Sequence, residues 1–232
     1  PVGIDIAYMI RKVKEGLAAA GYSPEGLVEA GKRALEIGSP MGVTLKTLQA
    51  TIRVQEKETG IPIPLDVEGA DYLCLFSSGE IAGFPEFIGS LAKIFKATGV
   101  SWTISSEYFE ATNTGVQLGN SKLAATLVER VVSAAEKLKV KYVISPECGH
   151  AYTTIRWDAP NIIGRPLPFK VVHIMELLDT RQMDRTEEAI RAEARDKIMR
   201  RKAEQEIEEV LRQFRDEAFV EIRLPGSASG SG

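Results

Sequence analysis

Apolar residues recur every three or four positions through the N-terminal part of the chain, which is the spacing of one helix face. Gly21 and Pro24 supply a stop and a first-turn proline between two such runs, and a further run extends from about Thr44 to Glu58. The alternating Ile and Pro residues at 61–64 then favour an extended stretch. The segment 1–65 is therefore predicted to be helical, with three amphipathic helices.

The pattern changes in the segment 66–179, where short apolar runs alternate with longer helical ones. Helices are predicted from Phe84 to Thr98 and from Asn120 or Ser121 to about Leu138, and a loop from Pro160 to Pro168. The apolar runs between them are Tyr72–Phe76, Ser101–Ile104, Tyr142–Ser145 and Lys170–Ile174. Alternating strands and helices are typical of a parallel sheet whose faces are covered by helices. The predicted fold class is therefore α/β, with a parallel sheet of about four strands and flanking helices.

The charged C-terminal segment, 180–224, has a helical pattern of its own. Apolar residues recur in it every three to five positions, which predicts one or two long amphipathic helices. Phe219–Leu224 alternates like a half-buried strand, and the Gly- and Ser-rich stretch 225–232 is interpreted as a flexible linker or tag. The charged helix face is either solvated surface or a surface for a partner helix, including self-association.

Composition excludes several classes of function. The chain has 232 residues with a net charge of −3, and its basic residues are interleaved with acidic ones, which argues against a nucleic-acid surface. No run approaches the roughly 18 apolar residues of a membrane span. Two cysteines, Cys74 and Cys148, and no recognisable signal peptide favour a reducing, cytoplasmic location.

The third predicted strand ends in a group of chemically reactive residues. Pro146-Glu147-Cys148-Gly149-His150 places a carboxylate, a thiol and an imidazole in a turn at the carboxyl end of that strand. Right-handed crossovers bring the carboxyl ends of parallel strands to one edge of the sheet, where sites of α/β proteins lie. The residues expected to converge there are Ser78, Ser106, Glu107, Cys148 and His150.

Several chemistries are open to these residues. A thiolate activated by a neighbouring base is one possibility, because His150 and Glu147 lie beside Cys148 in the sequence. These three residues are therefore the candidate catalytic residues. Alternatively, Cys148 is a small buried filler and His150 caps a neighbouring turn. The Ser hydroxyls either bind a small anion or satisfy the backbone of their turns.

Three short runs carry a resemblance to a known family. Glu147–Tyr152 is similar to a segment of the iron-sulfur subunits related to heterodisulfide reductase, and Pro1–Ile6 and Ser39–Val43 resemble two segments nearer the start of those proteins. Such subunits belong to sulfite-reduction-associated and high-molecular-weight cytochrome complexes. The resemblance implies a cysteine-rich domain that binds a catalytic iron-sulfur cluster.

The chain departs from that family's cysteine pattern. Ser77-Ser78 stands at the first cysteine position, Ser105-Ser106-Glu107 at the Cys-Cys-Gly position, and only Cys148 remains of the final pair. A four-iron cluster normally needs four thiolates, and Cys74, in mid-strand, is expected to point into a helix layer. Two or three ligands also fall short of a closed zinc site. The resemblance therefore implies a cluster completed by another segment or subunit, with Cys148 as its metal ligand and Ser78, Ser106 and Glu107 lining it.

Two functions are expected on this basis. The first is a component of an iron-sulfur electron-transfer oxidoreductase acting on disulfide or sulfur compounds. In it, the chain supplies scaffold and one thiolate, and its partners are the other subunits of a redox complex. The second is a non-catalytic scaffold or interaction module that keeps the fold without a cofactor.

Overall fold

The computed structural model describes residues 6–111, 113–145 and 148–180. The chain divides into two units, Pro1–Gln182 and Met183–Gly232, and every described residue belongs to the first. The long helices, the strand and the linker predicted beyond Thr180 lie outside the described residues. The division into four domains therefore stays a prediction.

Three helices form the N-terminal part of the first unit, as predicted. They are α1 (Ile6–Ala19), α2 (Glu25–Ile37) and α3 (Leu45–Thr59). Gly38 ends α2 in the left-handed conformation, with φ of 87°, which costs glycine little because it has no Cβ atom. Thr44 caps α3 by accepting a hydrogen bond from the backbone N–H of Thr47.

The predicted parallel sheet of four strands is confirmed. Its strands are β1 (Tyr72–Cys74), β2 (Trp102–Thr103), β3 (Tyr142–Ser145) and β4 (Lys170–His173). All pairs are parallel and the order is β2-β1-β3-β4, so among the strands of the described residues β1 and β3 are central and β4 is outermost. The carboxyl ends of the four strands consequently face the same way.

Flanking helices connect the strands. Those after β1 and β2 are α4 (Glu86–Thr98), α5 (Thr114–Leu118) and α6 (Ser121–Lys137), and those after β3 and β4 are α7 (Gly149–Thr153), α8 (Ala159–Ile163) and α9 (Ile174–Thr180). Two π-helical turns, Gly79–Gly83 and Thr154–Asp158, precede α4 and join α7 to α8. Asn120 caps α6 through its side chain, as the sequence predicted.

The prediction of a turn at Cys148–His150 was wrong, and so was the first part of the loop predicted from Pro160 to Pro168, since residues 149–163 are helical. Residues 164–168 lie outside helices and strands, as predicted. Ala151, Ile155 and Ala159 follow one another at intervals of four residues and are all buried. Pro160 lies in the first turn of α8, where a missing N–H costs nothing. The sequence analysis therefore interpreted Pro160 as the start of a loop, although a proline at this position is compatible with a helix.

The sheet lies between two apolar layers, because successive side chains of a strand point to opposite faces. Cys74 and Phe76 pack in the layer shared with α3 and α4. Leu73 and Leu75 pack in the opposite layer, with α6 and the helical stretch 149–163. The expectation that Cys74 points into a helix layer is confirmed, and this cysteine is fully buried.

Candidate functional site

A buried polar cluster occupies the carboxyl end of β1. Glu110 accepts a hydrogen bond from the Ser78 backbone N–H at 2.9 Å, and its two oxygens lie 3.0 and 3.1 Å from the Ser78 hydroxyl. That hydroxyl also lies 2.9 Å from the hydroxyl of Ser39. We call these three residues the serine–glutamate cluster. Its members come from three separate parts of the sequence.

Local geometry explains how each member reaches the cluster. The residues after β1 continue in an extended path, and Phe76 pairs with Glu110 in an isolated parallel bridge. Ser39 follows directly after the left-handed Gly38, and its hydroxyl accepts the Val43 backbone N–H at 3.1 Å. The loop between α2 and α3 therefore folds over the carboxyl edge of the sheet and places Ser39 inside.

Burial sets the electrostatics of this cluster. Glu110 is 3% exposed, and desolvation raises its pKa to about 7, against the opposing effect of hydrogen bonds from Ser78 and Ser39. A second buried carboxylate, Glu80, accepts the Ser77 backbone N–H at 2.6 Å. Burial also raises the pKa of the Cys74 thiol, and the charge of Glu80 adds to the effect. Near neutral pH, Glu110 is therefore present in both protonation states.

Ser106 and Glu107 have other partners. The Ser106 backbone N–H donates to an oxygen of Asp66 at 2.7 Å, and exposed Glu107 forms an ion pair with Lys137, the last residue of α6. Ser105 satisfies the turn itself, because its hydroxyl accepts the backbone N–H groups of Glu107 and Tyr108. These contacts hold the turn after β2 and leave the side chains apart from the serine–glutamate cluster.

Cys148 caps α7. Its sulfur accepts the Ala151 backbone N–H at 3.4 Å, and its carbonyl accepts a hydrogen bond from the Ser145 hydroxyl at 3.3 Å. His150 is exposed on the first turn of α7, and Glu147 lies outside the described residues. Within the described chain no hydrogen bond or ion pair joins Cys148 or His150 to Ser78, Ser106 or Glu107. Their roles as site residues stay a prediction.

The sequence reasoning missed Ser39 and Glu110. A signal was present for Glu110, a lone carboxylate between Tyr108-Phe109 and Ala111, since a charged residue inside an apolar run is often buried with a hydrogen-bonding partner. Ser39 carried no such signal, because its burial depends on the path of the loop between α2 and α3.

The described part of the chain shows neither a group of metal ligands nor a membrane-spanning helix. No group of three or more His, Cys, Asp and Glu residues there is arranged to hold a metal ion. The whole chain contains only two cysteines. Among the described helices, none combines the length and the apolar character needed to cross a bilayer.

A second region of interest lies along β4. A cavity of about 1020 Å³ runs beside this strand and is lined by charged side chains as well as by apolar ones, among them Tyr142, Leu167 and Phe169. At its rim Glu176 pairs with Arg156 at 2.7 Å and accepts the His173 backbone N–H at 2.8 Å. The His173 N–H and Arg156 both hold the pKa of Glu176 below its usual range. We call this cavity the β4 groove.

A third region is the apolar face of α1. This helix has no buried residue, although five of its large apolar positions share one side. The side chains there are 48% to 62% exposed: Ile6, Met9, Ile10, Val13 and Leu17. Arg11 anchors the helix through an ion pair with Asp158 at 2.8 Å. The α1 face therefore presents a continuous apolar surface to its surroundings.

Comparison with known proteins points away from redox chemistry. A protein of Nitrosococcus oceani is 50% identical over 60 residues, which are 25% of this chain and 14% of that protein. One from Pseudomonas fluorescens is 44% identical over 125 residues, 46% of this chain and 29% of its own. One from Methylococcus capsulatus is 38% identical over 60 residues, 26% and 13% of the two chains. All three are named Chaperone SurA.

The matches are partial. This chain spans less than a third of each of these relatives, and each alignment leaves more than half of the chain unmatched. No family model matches the chain, and no solved structure does. The similarity is therefore to part of a chaperone.

These findings correct the function expected from the sequence. The resemblance to heterodisulfide-reductase-related subunits was wrong, and so were the oxidoreductase, electron-transfer and iron-sulfur roles drawn from it, because the relatives found are chaperones by name. The resemblance depended on three short runs, and serines stand at most of the cysteine positions elsewhere in the chain, so nothing in it required a cluster. The cytoplasmic location stays a prediction.

Proposed function

We propose that this chain is a chaperone module that binds unfolded polypeptide clients. The observation that carries the proposal is the partial similarity, up to 50% identity over 60 residues, to proteins named Chaperone SurA. Because this chain spans only a fraction of those proteins, the proposal concerns client binding and not the whole activity of a SurA protein.

The α1 face supplies a surface suited to this role. Contiguous exposed apolar patches on a soluble protein commonly mark sites of protein interaction. A binding surface for varied unfolded chains benefits from adaptable side chains, and Met9 has a flexible thioether that fills irregular gaps. Unfolded polypeptides expose apolar side chains, which this face can shield from water.

Two matched substitutions test the proposal. Val13, on the α1 face, is 55% exposed, and Val54, on α3, is 50% exposed, so V13D and V54D make the same chemical change at similar exposure. The unsubstituted chain is expected to suppress light scattering by a chemically unfolded client on dilution. V13D should raise the chain concentration required by about fivefold, because it places a charge in an apolar contact.

V54D should leave the suppression unchanged. If the unsubstituted chain does not reduce scattering, the proposed function is wrong. If V13D and V54D weaken suppression equally, clients are bound elsewhere than at the α1 face. Circular dichroism of both variants should show the helical content of the unsubstituted chain.

A further inference from the structure

The hydrogen-bonding pattern of the sheet fixes which groups of β4 face outward. The Lys170 backbone N–H donates to the Lys141 carbonyl at 3.0 Å, and Lys170 pairs in register with Tyr142 of β3. In a parallel ladder alternate residues face the neighbouring strand. Lys170 and Val172 therefore bond to β3, and the backbone groups of Val171 and His173 point away from it.

The two outward-facing residues differ in their partners. The His173 N–H donates to Glu176 at 2.8 Å, so this end of the edge is closed by the chain itself. Among the strands of the described residues, none lies beside Val171 on that side, because β4 is the outermost of the four. The outward N–H and C=O of Val171 adjoin the β4 groove, which this residue helps to line. A strand edge that no described strand covers can pair with a further extended chain.

The charges around the groove favour an acidic ligand. Arg156 is paired with Glu176, and Arg165 with Glu129 at 2.8 Å. Lys170 is exposed and makes no ion pair with any described residue. One positive charge thus remains uncompensated at the strand that forms the groove wall. An acidic side chain on a chain laid beside β4 would neutralise it.

The same charge disfavours a second copy of this protein as the ligand. Two β4 strands related by a two-fold axis would pair in antiparallel fashion about Val171. The two Lys170 residues would then be diagonal neighbours across the pair, roughly 7–8 Å apart. Like charges at that distance oppose pairing, whereas an acidic peptide gains from the same lysine.

We propose that the β4 groove binds an extended polypeptide segment by strand addition to β4. The bound segment donates to and accepts from the Val171 backbone, places an acidic residue beside Lys170 and buries apolar side chains between Leu167 and Phe169. This surface is separate from the α1 face. The inference specifies how a client segment is held, and in that respect it rests on the proposed function.

The test uses the full chain and a short fluorescein-labelled peptide in which Phe alternates with Asp, together with a version in which Lys replaces each Asp. K170E is compared with K93E, which makes the same charge change on exposed Lys93 of α4. The Phe–Asp peptide should bind about five- to tenfold more weakly to K170E, while K93E should bind it within about twofold of the unsubstituted chain. The Phe–Lys peptide should show the reverse preference.

Amide hydrogen exchange distinguishes strand addition from attraction to the charge of Lys170 alone, because only strand addition gives the Val171 N–H a hydrogen-bonding partner. The Phe–Asp peptide should slow exchange at Val171 by about tenfold, since its N–H gains a partner, and should leave His173, already bonded to Glu176, unchanged. Unprotected Val171, or equal weakening by K170E and K93E, would overturn strand addition. Protection of Val171 without peptide in a dimeric chain would identify a second copy as the ligand and also overturn it.

The result separates this inference from the proposed function. A chain that suppresses client aggregation but does not bind the peptide beside β4 refutes strand addition and leaves the chaperone role intact. A chain that binds the peptide there without suppressing aggregation refutes the chaperone role and leaves strand addition standing.

Discussion

The carboxyl end of β1 and the outer edge of β4 belong to the same sheet but differ in how their polar groups are satisfied. At β1 the chain covers the strand end with its own loop, and the hydroxyls of Ser39 and Ser78 satisfy buried Glu110. At β4 one outward backbone amide is bonded to Glu176, and the groups of Val171 adjoin an open groove. One end is closed by internal hydrogen bonds, and the other offers groups to a ligand.

This difference shows why the position of a strand end alone does not identify a site. Sites in open α/β sheets lie beyond the carboxyl ends of the strands, and the candidate residues were chosen on that rule. In this protein the loop between α2 and α3 fills that position at β1. The surface left for binding lies on α1 and along β4, where the rule does not direct attention.

The largest expected effect is on the free energy of unfolding, for a substitution where α5 packs against α6. A Cβ atom at Gly115 would lie 2.2 Å from the Ala124 backbone nitrogen, because α5 packs directly on α6. G115A should lower the free energy of unfolding by about 3 kcal/mol or more, since backbone atoms must move apart. G26A, where nothing lies within 4 Å, is the control and should not destabilise. Urea unfolding measures both, and equal midpoints would refute the close packing.

The next effect is a pH dependence that belongs to Glu110. Its pKa rises from 4.5 in the unfolded chain to about 7 in the folded one, so the folded state binds more protons between these values. Its stabilising contribution is therefore complete below about pH 4.5 and is lost as the pH rises through 7. The loss amounts to about 3 kcal/mol.

E110Q tests that dependence, because glutamine keeps the shape of the protonated acid without its ionisation. Relative to the unsubstituted chain, E110Q should gain stability at pH 8 and show little difference at pH 5, in urea unfolding at both values. E107Q, at an exposed carboxylate, is the matched control and should not alter the pH profile in this way. An unchanged slope in E110Q would mean that Glu110 titrates normally.

The smallest expected effect on stability is that of a substitution on the exposed α1 face. Ile10 is half exposed on the α1 face, so I10S should change the free energy of unfolding by no more than about 0.5 kcal/mol. I88S, the same change at a fully buried position of α4, should cost several times as much. If thermal unfolding shows that I10S is comparably costly, α1 is packed against a partner and its face is not open.

Much of the fold followed from local patterns. The β3 strand was predicted with its observed bounds. The cap of α6 was predicted at Asn120 or Ser121, and Asn120 is the cap, because the signals for a buried strand and a capped helix lie in adjacent residues. The helical stretch 149–163 was missed because Pro160 suggested a break. The serine–glutamate cluster was missed because Ser39 and Glu110 lie 71 residues apart in sequence and meet only through tertiary folding.

The functional interpretation failed for a related reason. Cys148 was given a candidate reactive role because it follows a strand and lies close to a carboxylate and a histidine. In the structure its sulfur accepts the Ala151 backbone N–H, and its reactive role stays a prediction. A short run such as Glu147–Tyr152 says little about chemistry when the accompanying cysteines are absent.

Ser39 also decides how the protein can be shortened. A chain that started at β1 would keep every strand but lose the hydroxyl that reaches Glu110 from the loop after α2. Water would then enter at the strand end, and the edge would have to rearrange. A protein that starts at β1 should therefore unfold less cooperatively. The shortest fragment that keeps cooperative unfolding should begin no later than Pro24, ahead of α2.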